Sequence, residues 1–203
     1  MRTPARRAHP TRVPTLQLPP STRRLRRTTA VLLAVGAATL PSAALAVGPA
    51  ADPKAAEFER SFLTETIDHH FMGVGMGRLC MDKSRTRRLG DICTAIVVSQ
   101  SAENVRMRDD FLLGWYGVEK HPAMRAADRR MLRDLDAKRG RSFDIALSRM
   151  FIEHHEMQIQ RSRECLTSAE HHELKHVCMD QIATQTREIK QFRCMVRAYG
   201  KTR

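Results

Sequence analysis

From residue 53 onward, apolar positions recur at intervals of three and four, the period of one helix face, and no segment alternates as a strand would. Phe58, Phe62, Glu65, His69, Met72, Met76 and Leu79 share such a face. Asp52-Pro53 precedes them as an N-cap and a proline suited to the first helical position. After a polar turn, Asp82 to Thr86, the positions Cys93, Ile96, Gln100, Glu103, Met107, Asp110 and Gly114 repeat the spacing. Phe143, Leu147, Met150, His154 and Met157 mark a third helix. Thr167-x-x-Glu170 reads as a capping box opening a fourth, which runs toward Gly200. Between the pairs, His121-Pro122 to Lys138 reads as a shorter connecting helix stopped near Gly140. The pattern predicts an all-α protein, a ferritin-like four-helix bundle built from two helical hairpins with a short connecting helix.

The hairpins read as two copies of one unit. A shift of 85 residues places Phe58 on Phe143, Ile67 on Ile152, His69-His70 on His154-His155, Met72 on Met157, Arg78 on Arg163 and Cys80 on Cys165. It also aligns Leu89 with Leu174, Cys93 with Cys178, Gln100 with Gln185, Glu103 with Glu188 and Arg108 with Arg193. Those twelve identities lie between residues 58 and 108 without a gap, where chance gives roughly three. Repeat one then spans about 53–117, the connecting helix about 121–139 and repeat two about 142–200.

The first 46 residues read differently. They hold eight arginines and no acid, an apolar run from Ala30 to Leu40, and small residues ending in Ala44-x-Ala46, the order of an export signal cleaved after Ala46. The apolar run is too short to span a bilayer. Removing this leader lowers the formal charge from +13 to +5, too mild to argue for nucleic acid, and no aromatic–basic pattern supports it. The remaining 47–203 is long enough for one core.

Export favours disulfides among the five cysteines. Cys80 with Cys93, and Cys165 with Cys178, would each staple a hairpin near its turn, worth about 3 kcal/mol for a loop of this size. Thiolate metal ligands are the alternative, but C-x-x-C spacing is absent and reduced thiols are required. Cys194 is left over. Bridges at these points would bring His69 level with Glu103, Met72 with Gln100 and Glu65 with Met107. In repeat two they would bring His154 beside Glu188, Met157 beside Gln185 and Met150 beside Phe192.

Buried His, Glu and Gln are costly unless they satisfy one another or bind something. On a structural reading His69 and His154 are core histidines bonded to the glutamates, and Met72, Met76 and Met157 are ordinary core methionines. On a functional reading His69, His70, Met72, Met76 and Met107, with His154, His155 and Met157, supply metal ligands. Glu103, Gln100, Glu188 and Gln185 then support the imidazoles from behind. Thioether with imidazole suits copper, Cu(I) above all. His171, His172 and His176 are candidates for a separate surface site, with mere solvation as the bland reading.

His-His-x-Met, followed by His-x-Glu-Leu-Lys and Gln-x-x-Glu, resembles the family called domain of unknown function 305, which includes CopM-like copper metallochaperones and groups with ferritin-like bundles. The second copy carries it as His154-His155-Glu-Met157, His171-His-Glu173-Leu174-Lys175 and Gln185-Thr-Arg-Glu188; the first as His69-His70-Phe-Met72, Met76, Gln100-Ser-Ala-Glu103 and Met107. The resemblance implies a bundle that binds copper through His and Met. Repeat two departs from repeat one, with Arg161 in place of Met76, Phe192 in place of Met107 and His171 in place of Thr86, so repeat one holds the fuller ligand set.

The leading expectation is a non-catalytic, extracytoplasmic (periplasmic or secreted) copper protein. It would sequester the ion or hand it to a delivery partner, as a monomer or homo-oligomer, with no membrane span after processing. The alternative is a structural or chaperone-like helical bundle without metal. A ferritin-like di-metal oxidase stands further back, since Met150 occupies the place before His154 that a carboxylate would need.

Overall fold

Asp52 caps the first helix as the sequence predicts, its side chain accepting from Lys54 N (3.0 Å), with Pro53 at the first helical position. The computed structural model describes residues 47–201; the leader read at 1–46 lies outside the described residues. Helices α1 (Pro53–Lys83) and α2 (Arg87–Val105) form a first hairpin. A π-helical stretch (Arg106–Leu113) and a last turn, α3 (Gly114–Tyr116), prolong α2. Then follow α4 (Ala126–Asp136) and a second hairpin of α5 (Gly140–Ser168) and α6 (His172–Lys201). Among the described residues there is no strand. Gly117, left-handed at φ 65°, ends the first hairpin where only glycine sits without strain.

Two bridges, Cys80–Cys93 and Cys165–Cys178, close the hairpins at their turns. The hairpins meet through α1 and α5, with α4 leaning on both. The stacking of His69 on His154, with Thr66 against Gln158, shows that α1 and α5 run antiparallel. Each bridged end therefore packs against the open end of the other hairpin. One apolar cluster joins Cys80, Cys93 and Ile96 to Phe143, Leu147 and Phe192. The other joins Cys165, Cys178 and Leu174 to Phe62, Ile67 and Trp115.

The predicted stripe on α1 is only half of what that helix buries. Glu65 is exposed, while Glu59, Leu63, Thr66, His70 and Gly77 are buried on a second face. A helix that packs on two neighbours must bury two faces, so a single stripe underestimates it. Beyond Glu103 the expected register on α2 also slips. In the π-helical stretch Met107, Phe111 and Leu112 are buried and Asp110 is exposed, because each π-turn inserts a residue and rotates the face.

The capping box expected at Thr167-x-x-Glu170 does not form. The Glu170 carboxylate instead accepts from Ala51 N and Asp52 N (both 2.9 Å), at the start of α1. The start of α6 is capped from the other hairpin. Buried Glu59 accepts from Glu170 N (2.7 Å), His171 N (2.9 Å), His171 Nδ1 (2.5 Å) and Tyr116 Oη (2.6 Å). Asp144, its counterpart, accepts from Tyr199 Oη (2.7 Å) and from Thr86 Oγ1 (3.3 Å) at the start of α2. Thr86 and His171, which differ between the copies, thus do the same job.

Burial alone would raise the Glu59 carboxyl, but the bonds from Tyr116, His171 and Glu170 outweigh it and hold Glu59 below its ordinary 4.5. Such a group adds stability that is fully present above about 4.5 and is lost as pH falls through its folded value. In urea at pH 7, Glu59→Gln should be less stable than wild type by about 1–3 kcal/mol. That gap should narrow as the pH drops below 4.5. A gap unchanged in acid would show that the carboxylate charge does not carry this lock.

Candidate functional site

Between the two apolar clusters lies a polar layer contributed by both hairpins. Counting equal steps back from Cys80 and forward from Cys93 brings His70 opposite Glu103, and the same count in the second hairpin brings His155 opposite Glu188. His70 Nε2 donates to Glu103 Oε2 at 2.9 Å, and His155 Nε2 lies 2.9 Å from Glu188 Oε2. This corrects the sequence expectation, which placed His69 and His154 against these glutamates. The second histidine of each pair, expected a quarter-turn away from the inward face, is fully buried. Gln181 joins the first pair, donating to Glu103 Oε2 (2.9 Å) and accepting from Ser162 Oγ (2.8 Å) and Gln158 Nε2 (3.0 Å). Burial would raise Glu103, but the His70 bond and charge, with the Gln181 bond, prevail and lower it.

The first histidine of each pair faces elsewhere. His69 and His154 stack ring on ring across the α1–α5 contact, centroids 3.6 Å apart and 10° from parallel. Neither ring nitrogen of His69, nor Nε2 of His154, has a hydrogen-bond partner, although all are buried. Desolvation first, then repulsion from His70 and His155, pushes His69 down to about 3, opposed by the nearby His154 main chain. Burial and the neighbouring histidines also push His154 well below its ordinary 6.5. Both rings are therefore neutral at ordinary pH, their lone pairs unclaimed.

These rings edge a cleft of about 330 Å³ between α1, α4 and α5. Its thioethers come from three elements: Met72 and Met76 on α1, Met131 on α4, Met150 and Met157 on α5. Glu65, Asp68, Asp128 and Glu153 also line it, with Arg125 and Arg161. Most of that charge is tied up. Glu65 pairs with Arg161, Asp128 with Arg125, and Asp68 accepts from Lys120 Nζ and Ala123 N, both at 2.8 Å. The Asp68 bonds anchor the segment leading into α4.

Of the eight predicted ligands, His69, Met72, Met76, His154 and Met157 meet at the cleft. His70 and His155 sit behind it with their glutamates. Met107 belongs to the apolar cluster around Trp115, on the far side of the polar layer from Met72 and Met76, and does not line the cleft. The sequence reading missed Met131 and Met150. Met150 had a signal, since it stands four residues before His154 and shares its face with Met157. Met131 had none, because the position of α4 over the cleft is purely tertiary.

Gly73 lets this layer close. A methyl group there would collide with Gln100 Oε1 and stand 2.9 Å from His154 Nε2. Gln100 and Gln185 are both buried, and Gln100 finds no partner for either amide atom. Among the described residues no three His, Cys, Asp or Glu side chains converge as metal ligands. A site here has to recruit methionine sulfur, and the unpartnered imidazole nitrogens beside it fit a soft, thiophilic ion.

Fold and cleft together define an all-helical, doubly disulfide-bridged protein with a shared His/Met cleft. The family model described as a domain of unknown function (DUF305) matches residues 42–110 and 116–196. The chain belongs to that family. A search of curated proteins finds no match. Among solved structures, CopM in its Cu(I)-bound form is similar at 23% identity, TM-score 0.62, over 70% of this chain and 96% of that one. A DUF305 fragment from Deinococcus radiodurans is similar at 19% identity and TM-score 0.60, over 71% and 98%. A DUF305 protein from Streptomyces coelicolor, described as a putative secreted protein, is similar at 16% identity and TM-score 0.62, over 70% and 92%. These likenesses establish a common fold.

Gly73→Ala should lower stability by about 1–3 kcal/mol through overpacking and should disturb the histidine ring resonances of the layer in NMR spectra. Unchanged stability with unchanged ring resonances would show that Gln100 moves aside freely.

Proposed function

We propose that this protein is a non-catalytic copper-binding protein of an extracytoplasmic compartment, with copper as its cargo rather than a catalytic centre. The observation that carries this is the meeting, in one cleft, of two neutral imidazoles with unclaimed nitrogens and five methionine thioethers. On this reading His69, His154, Met72, Met76 and Met157 are ligands drawn from the sequence, joined by Met131 and Met150. His70–Glu103 and His155–Glu188 hold the layer from behind. The cleft makes one shared site rather than one in each repeat. The capture of CopM in Cu(I)- and Cu(II)-bound forms supports copper as the ion.

Two disulfides suit an oxidising compartment, and thioether ligands work there without reduced thiols. No helix among the described residues is long and apolar enough to cross a membrane. We read the architecture as a ferritin-like four-helix bundle made by duplicating one hairpin, exported by the leader at 1–46, with sequestration or handover to a partner as its task. The di-metal oxidase reading loses ground, since most cleft carboxylates are already paired with Arg or Lys.

Titration with Cu(I) against a chromogenic chelator tests this. Wild type should take one equivalent, and the triple variant His69→Ala, Met72→Ala, Met76→Ala should bind at least about tenfold more weakly. Met107→Leu should bind like wild type, because Met107 lies outside the cleft. Equal affinity in wild type and triple variant would sink the copper reading. Loss of binding in Met107→Leu alone would move the site.

A further inference from the structure

The histidines at the start of α6 are of two kinds. His171 is committed to structure, held by Glu59, the Gly48 carbonyl (3.0 Å) and the Trp115 ring, stacked at 4.0 Å. His172 and His176 are exposed, and neither makes a hydrogen bond, ion pair or ring contact. They stand four residues apart on a helix of 30 residues. That spacing projects both side chains from one face with Cβ atoms about 6 Å apart, close enough for two imidazoles to share one ion. His172-Glu173-Leu174-Lys175-His176 has the spacing that places two zinc ligands on a helix in H-E-x-x-H metalloenzymes.

The platform beneath them is rigid. Leu174, Val177 and Cys178 on the opposite side are buried, Cys178 is bridged to Cys165, and Glu59 fixes the first turn. The partial positive charge of a helix start opposes a cation. Here the Glu59 carboxylate already binds the leading N–H groups, and Glu173 adds a second carboxylate to the first turn.

We propose that His172 and His176 form a second metal site, a two-imidazole surface chelate for a divalent borderline ion, with Cu(II) preferred over Zn(II). Imidazole suits both ions, and Cu(II) heads the affinity order for nitrogen ligands. Water completes the coordination, since among the described residues no third His, Cys, Asp or Glu converges on the pair. Zinc peptidases need that third protein ligand, so Glu173 has no hydrolytic role here. The site stands apart from the thioether cleft, and each can fail without the other.

Cu(II) titration of the protein, followed by electron paramagnetic resonance, tests the proposal on wild type, His172→Ala, His176→Ala and the triple cleft variant. Each single variant should lose at least about tenfold in affinity for this Cu(II), because one imidazole alone does not chelate. Both should melt like wild type and keep their Ag(I) binding. The triple cleft variant should keep the two-nitrogen Cu(II) signal. The proposal is overturned if either single variant binds Cu(II) as tightly as wild type. It is also overturned if the two-nitrogen signal survives in the His172→Ala, His176→Ala double variant.

Discussion

Each hairpin is covalently closed beside its turn, and an antiparallel helix pair pinned at one level has its register set along its whole length. From Cys80–Cys93 and Cys165–Cys178 the two helices of each hairpin run outward in step. That places His70 opposite Glu103 and His155 opposite Glu188. A slip of one residue would leave two carboxylates and two imidazoles buried without partners, at a cost of several kcal/mol. Bridge and polar pair therefore specify the same register independently, and the polar layer is bearable only because they agree.

The layer also explains how the two hairpins fit together. Each contributes one apolar cluster at its bridged end and one capping acid, Glu59 or Asp144, near the start of its first helix. Both acids reach across to cap the start of the other hairpin's second helix. The antiparallel crossing of α1 on α5 satisfies both caps at once. Burying a carboxylate is costly alone, but one that accepts several short hydrogen bonds from a helix start and a tyrosine is well compensated. The exchange of Thr86 for His171 between the copies is tolerated because each supplies a donor at the same spot.

At the centre of that crossing, His69 and His154 stack and keep their nitrogens free, whereas their neighbours are consumed by the glutamates. Adjacent residues on a helix point about 100° apart. A His-His dipeptide on a helix packed between two partners thus serves two faces, one structural and one open to the cleft. The methionines follow the same division. Those toward α4 line the cleft, while Met107 fills apolar space beside Trp115.

The helices, the two-copy plan, both disulfide pairings and the identity of the polar residues are legible in the sequence. Heptad-like spacing, cap residues and matched cysteines are local signals that need no knowledge of neighbours. What the sequence could not decide is which face of a helix meets which partner. A single apolar stripe was read for α1, which buries two faces; the π-helical stretch rotated Met107 and Phe111 away from the extrapolated register. Thr167-x-x-Glu170 looked like a local cap, yet the stronger acceptor, Glu59, arrived from another hairpin. The division of His69 from His70, and the recruitment of Met131 over the cleft, depend on how α1, α4 and α5 pack. Local chemistry determined which donors this protein carries, and only the packing of one hairpin against the other decided which of them stay free.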